Sequence, residues 1–121
     1  MTVTIRITRN FKIAAKPLLK KYPSLSKDLL TLENDLTANP KIGTPPGQNV
    51  YKIRLKISSK GKGKSGGARV ISLVEAILVS EVNVKDEEVT VNLITIYDKA
   101  DTETINDKEL KQLIKVFYKE R

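Results

Sequence analysis

The chain has 121 residues, carries 22 Lys and Arg against 14 Asp and Glu for a formal charge of +8, and contains neither Cys nor His. That length fits a single domain over residues 1–121, and no apolar run reaches the ~20 residues a bilayer-crossing helix needs. Without Cys or His there is no disulfide framework, thiol nucleophile, imidazole base, Ser-His-Asp triad or Cys- or His-ligated metal, so any catalysis must use Lys, Arg, Tyr, Ser, Thr or carboxylates.

Residues 2–9 alternate, with Val3, Ile5 and Ile7 opposite Thr4, Arg6 and Thr8, which predicts a strand with one buried face. The segment lacks the continuous apolar stretch of a signal peptide, so the expected location is the cytoplasm with no membrane partner. Asn10 is placed to cap a helix whose apolar stripe runs through Phe11, Ala14, Ala15, Leu18, Leu19 and Tyr22. Pro17 either kinks this helix or begins a second one. Ser24 is a second N-cap, and Leu25, Leu29, Leu32 and Leu36 recur at spacings of four, three and four, so an amphipathic helix runs to Asn39-Pro40.

Residues 41–49 read as loop. Val50–Ile57 is the cleanest strand pattern, with Tyr51, Ile53, Leu55 and Ile57 on one face and Lys52, Arg54 and Lys56 on the other. Residues 58–67, Ser-Ser-Lys-Gly-Lys-Gly-Lys-Ser-Gly-Gly, read as a flexible basic loop. An apolar run over 68–80 and a β-rich run over 88–97 predict a long hairpin turning at Lys85-Asp86-Glu87. In the second of these runs Ile94 and Ile96 face the core and leave Thr95 and Tyr97 on the open face. Asn106 caps a last helix, with Glu109 three residues on and Leu110, Leu113, Ile114 and Phe117 on its apolar side. The expected order is β-α-α-β-β-β-α: an α+β domain with an antiparallel-rich four-stranded sheet, its helices on one face.

Charge is unevenly spread. Residues 1–40 carry +4, residues 41–74 carry +8 with no acid at all, and residues 75–121 carry −4. A 34-residue stretch free of carboxylates implies a polyanionic partner. Within it, Lys52, Arg54 and Lys56 stand about 6.8 Å apart along a strand, close to the phosphate spacing of an extended single strand. Cations so close repel one another, and an anion relieves that cost. Lys60, Lys62 and Lys64 add three cations on a glycine-rich backbone, giving electrostatic affinity without sequence readout. Alternation groups Arg69 with Ile71, Leu73 and Glu75, but neither face of that run is clean enough to place Arg69 beside Arg54. Tyr97 at a strand end, with Lys99 close behind, offers a stacking platform or a phenolic proton.

In order along the chain, the opening strand, Lys20-Lys21-Tyr22-Pro23-Ser24-Leu25, Tyr51-Lys-Ile-Arg-Leu-Lys56, Gly61-Lys-Gly-Lys-Ser-Gly-Gly-Ala-Arg-Val-Ile71, Ile96-Tyr-Asp-Lys99 and Ile105-Asn-Asp-Lys-Glu-Leu110 resemble the RelE/HigB branch of the RelE/ParE toxin superfamily of toxin–antitoxin systems. The resemblance implies a small basic α+β domain that enters the ribosomal A site and cuts mRNA without metal or cofactor. There the ribose 2′-OH attacks the adjacent phosphate. It further implies that Arg54, Lys56 and Arg69 neutralise the transition state, with Lys56 also a possible general base. Tyr97, assisted by Lys99, is then the acid/base or stacking group. Lys52, Lys60, Lys62 and Lys64 contact RNA, and a cognate antitoxin masks the basic face or displaces the C-terminal helix. Two other readings stay open: a ParE-like inhibitor of DNA gyrase that is not an enzyme, and a non-catalytic RNA-binding module.

Overall fold

The computed structural model describes residues 1–47, 49–61, 66–81, 84–102 and 104–120. The elements are β1 (Thr2–Ile7), α1 (Arg9–Lys21), α2 (Leu25–Ala38), β2 (Thr44–Gly47), β3 (Val50–Leu55), a 3-10 turn at Ser58–Lys60, β4 (Ala68–Glu81), β5 (Val84–Asp98) and α3 (Asp107–Lys119). The class is α+β, as expected. The sheet, however, has five strands in the order β1-β5-β4-β3-β2, and it is mixed: β1 runs parallel to β5 and the other pairs are antiparallel. The extra strand is β2, in the segment expected as loop. It makes two register pairs with β3 and contains Pro45 and Pro46, which have no N–H to offer a further strand.

Helix α1 starts two residues earlier than expected. Thr8, not Asn10, accepts the Phe11 N–H at 3.2 Å, while the Asn10 amide donates to the Ile94 carbonyl at 3.0 Å. Pro17 lies inside one continuous helix, on its exposed side, where water can satisfy the carbonyl that Pro leaves without a donor. In α2 the leucine stripe holds: Leu25, Leu32 and Leu36 are buried and Leu29 packs against them. In α3 the expected capping pair forms, with the Glu109 N–H donating to Asn106 Oδ1 at 2.8 Å and the Asn106 amide to Glu109 Oε1 at 3.0 Å.

The helices do not share one face, which corrects the expectation. α1 and α2 cover a core of Ile53, Leu55, Ile57, Val70, Val74, Val89, Val91, Leu93 and Ile96. On the other face α3, through Leu110, Leu113, Ile114 and Phe117, covers Val50, Ile71, Leu73 and Ile94. Ile94 changes sides because the β4–β5 register shifts between Ile71, opposite Thr95, and Ser72, opposite Leu93. Ile94 is the extra residue of that bulge. The hairpin turn also lies elsewhere: Lys85, Asp86 and Glu87 are within β5, opposite Ser80, Val79 and Leu78.

Candidate nucleic-acid interface

The alternation of β3 places Lys52 and Arg54 on the α3 side of the sheet, because Tyr51, Ile53 and Leu55 are taken by the α1/α2 core. Register then decides what Arg54 faces. Arg54 pairs with Arg69 on β4, and Arg69 pairs with Tyr97 on β5. These three side chains form one cross-strand row on one face, with directly opposite Cβ atoms about 5 Å apart. Arg54 is exposed, Tyr97 is half-buried and Arg69 is only 5% exposed. Arg69 Nη1 donates to the Ala68 carbonyl at 3.1 Å, and the Tyr97 hydroxyl accepts the Ile105 N–H at 3.3 Å. Tyr97 is thus anchored from the segment leading into α3, and α3 covers the sheet beyond it.

One step along β3, Lys52 donates from Nζ to Thr104 Oγ1 at 3.0 Å. Lys56 follows the end of β3, is exposed, and lies within electrostatic reach of Asp28 on α2. With Arg54, Asp28, Asp35 and Ser58 it lines a groove of about 250 Å³ between α2 and β3. The expected Lys52–Arg54–Lys56 row is therefore divided among Thr104, the cross-strand row and the α2 groove. Lys99 is half-buried and its N–H donates to the Gly67 carbonyl at 3.0 Å. Gly67 has a steric reason to be glycine: a Cβ there would stand 2.0 Å from the Leu55 carbonyl oxygen. That close approach brings the start of β4 against the end of β3, beside Arg54 and Arg69.

Lys60 is not part of a flexible loop. It ends the 3-10 turn, and its Nζ donates to Asp98 Oδ1 at 2.9 Å and lies 5.3 Å from the Tyr22 ring centroid. Lys62 and Lys64 lie outside the described residues. Asp98 is almost fully buried at the end of β5 and also accepts from the Tyr22 hydroxyl and, through Oδ1, from the Ala100 N–H at 2.9 Å. Burial pushes its carboxyl up. The Tyr22, Lys60 and Ala100 hydrogen bonds and the Lys60 charge outweigh that and hold it down at about 2.

A second carboxylate pins the same turn. Asp28 accepts the Ser58 N–H at 2.9 Å, the Ser58 hydroxyl at 2.6 Å and the Ser24 hydroxyl at 2.8 Å. Its carboxyl is also lowered: burial opposes ionisation, and the Ser58 and Ser24 hydrogen bonds and Lys56 overcome it. The sequence pattern puts Tyr22 on the α1 stripe and gives none of Tyr22, Asp28 and Asp98 a role in the site. Asp28 had a signal, since it stands three residues from Leu25 and four from Leu32 on the buried stripe of α2. The acid-free stretch is thus tied down at the Ser58–Lys60 turn by Asp28 and Asp98 from elsewhere in the chain, while the exposed Arg54 borders the groove that Asp28 and Asp35 also line.

Arg54, the exposed guanidinium of the row, can bind a phosphodiester oxygen and stabilise charge that develops on it, with the buried Arg69 adding positive charge from the next strand. Among the described residues, no group of three or more Asp and Glu is placed to hold a metal ion, and no helix is long and apolar enough to cross a membrane. No protein-family model matches the chain, and no solved structure gives a significant match.

Proposed function

We propose that the chain is the toxin of a toxin–antitoxin pair, a RelE/HigB-like cytoplasmic endonuclease that cuts mRNA on the ribosome. The observation that carries this reading is the cross-strand row of Arg54, Arg69 and Tyr97 on the α3 side of the sheet. In the reaction the ribose 2′-oxygen attacks the adjacent phosphorus as the bond to the 5′-oxygen breaks, and in net the proton that the 2′-oxygen gives up ends on the leaving 5′-oxygen. The products are a 2′,3′-cyclic phosphate and a 5′-hydroxyl. Arg54 takes a non-bridging oxygen, where negative charge builds in the transition state, and the buried Arg69 adds its positive charge from the neighbouring strand. The Tyr97 phenol exchanges a proton with the attacking or leaving oxygen, or stacks on the flanking base. Lys52, Lys56 and Lys99 surround the row and hold the neighbouring phosphates. Most of the acceleration then comes from in-line positioning and charge neutralisation, chemistry that requires no imidazole. The antitoxin is a protein whose acidic segment covers this row.

Induced expression should arrest growth, and purified protein should cut mRNA within codons on programmed ribosomes, mapped by primer extension. Arg54→Ala should lower the cleavage rate ~10²- to 10³-fold, the scale of removing one donor from a developing anion. Tyr97→Phe should lower it ~10²-fold or more. Arg69→Lys, chosen because Arg69 is buried, keeps the charge and loses the planar guanidinium that fixes where it stands beside Arg54 and Tyr97, so it should fold and cut poorly. A folded protein that occupies ribosomes and leaves every message intact, or that instead stops gyrase supercoiling, sinks the nuclease reading.

A further inference from the structure

Helix α1 carries five cations, Arg9, Lys12, Lys16, Lys20 and Lys21, and no acid. Arg9, Lys12, Lys16 and Lys20 recur at spacings of three, four and four, so they form one straight row of about 16 Å along the helix. All four are exposed. Among the described residues none of them has a carboxylate within ion-pairing distance. The opposite side of the helix, through Phe11, Ala15 and Leu18, is buried against the sheet, so the row faces outward from the α1/α2 face. The Arg54 row lies on the other face, and a single extended strand does not reach both.

This row is costly for the helix itself. Lys12, Lys16 and Lys20 make successive like-charge pairs four residues apart, each destabilising by a few tenths of a kcal/mol. Arg9 places a cation in the first turn, where the helix dipole favours an acid. α2 next to it has three acids, Asp28, Glu33 and Asp35, so the scarcity is specific to α1.

We propose that the outward face of α1 is a second RNA-binding surface, one that docks the sugar-phosphate backbone of a folded, double-stranded RNA segment. Side chains four apart on a helix are spaced about 6 Å, near the separation of consecutive phosphates. The face has no aromatic group to stack on unpaired bases, since Phe11, the helix's one aromatic, is buried. It therefore suits a duplex backbone rather than a splayed single strand. It suits a membrane poorly, because Phe11, Ala15 and Leu18 are spent on the core and Ile13 and Leu19, the large apolar side chains that the helix leaves exposed, make too small a surface to lie among lipids. Joined to the proposed nuclease reading, on which this step rests for its biological setting, the protein holds a structured RNA at its back while the cross-strand row engages a single strand at its front.

The test uses the full chain and a K12Q/K16Q/K20Q variant, whose sites are exposed and whose fold is checked by its thermal melt. Binding to a 16-base-pair RNA duplex is titrated between 50 and 200 mM salt. The variant should bind at least tenfold more weakly and lose about two to three units of the log–log salt slope, near one per phosphate contact removed. Binding of a short single-stranded RNA should be unchanged in this variant and weakened by Arg54→Ala. A duplex affinity and slope equal to the parent's overturn the proposal. So does a row that serves phosphatidylserine vesicles and leaves the duplex unbound. The nuclease reading fails separately: a parent protein that binds duplex through α1 and never cuts mRNA keeps this surface and loses that activity.

Discussion

Asp98 is where a single side chain holds the most structure. It is 1% exposed, yet it is ionised, because it accepts from Tyr22, Lys60 and the Ala100 N–H together. Its folded pKa of about 2 lies below the ordinary carboxylate value of 3.8, so the native state binds its proton less readily than the unfolded chain does. This stabilisation is therefore complete above pH ~4 and is lost as the pH falls toward ~2, and its size is about 2 kcal/mol. Urea midpoints across that range should fall for the native protein. In Asp98→Asn the acid slope should flatten, while stability at pH 7 drops because Lys60 loses its counter-charge in a site where it is largely covered. An unchanged acid slope in that variant contradicts this account of Asp98.

The β4–β5 hairpin shows what an element gains from its neighbours. β3 flanks β4 only over Ala68–Leu73, and β1 flanks β5 only over Glu88–Leu93, so the pair runs on past the rest of the sheet. Exposure follows that boundary: Leu73, under α3, is buried, whereas Ile77 and Leu78 are each 64% exposed, one on each side of the ribbon. Leu73→Ala should therefore cost about 2–5 kcal/mol, and Ile77→Thr or Leu78→Thr no more than about 0.5 kcal/mol, read from urea unfolding. Equal losses at the three positions would mean that the arm is packed. The arm also explains which features were legible in the sequence. Patterns internal to one element were readable: the α2 leucine stripe, the Asn106–Glu109 cap, the two faces of β3. Pairings between elements were not. Residues 44–47 gave no strand signal because an edge strand of four residues with two prolines has no period to read. Nothing local required β1 to run parallel to β5 or α3 to take the second face. The Ile94 bulge moved one side chain across the sheet, which alternation alone assigns to the wrong side. The candidate site divides in the same way. Arg54 could be placed from β3 alone, but its partnership with Arg69 and Tyr97 is a matter of register, and Lys60 was diverted by a carboxylate 38 residues away.

At the scale of the whole molecule, exposed cations form two fronts on opposite sides of one sheet, Arg54 of the cross-strand row on the α3 side and the outward face of α1 on the other. Two cations next to the first front face carboxylates of the same chain, Lys60 against Asp98 and Lys56 near Asp28. Self-repulsion at both fronts destabilises the free protein, and a bound polyanion removes it. Inorganic polyphosphate at about a hundredfold over its dissociation constant should then raise the melting temperature by about 10 °C, from roughly 2.7 kcal/mol of binding linkage. Sodium chloride at matched ionic strength screens both fronts without bridging them and should give a smaller rise. Because the sheet separates the fronts, Arg54→Ala and K12Q/K16Q/K20Q should each remove part of the polyphosphate shift, and their effects should add. If chloride reproduces the whole shift, the fronts are ordinary solvated surface, and neither RNA surface proposed above survives in its present form.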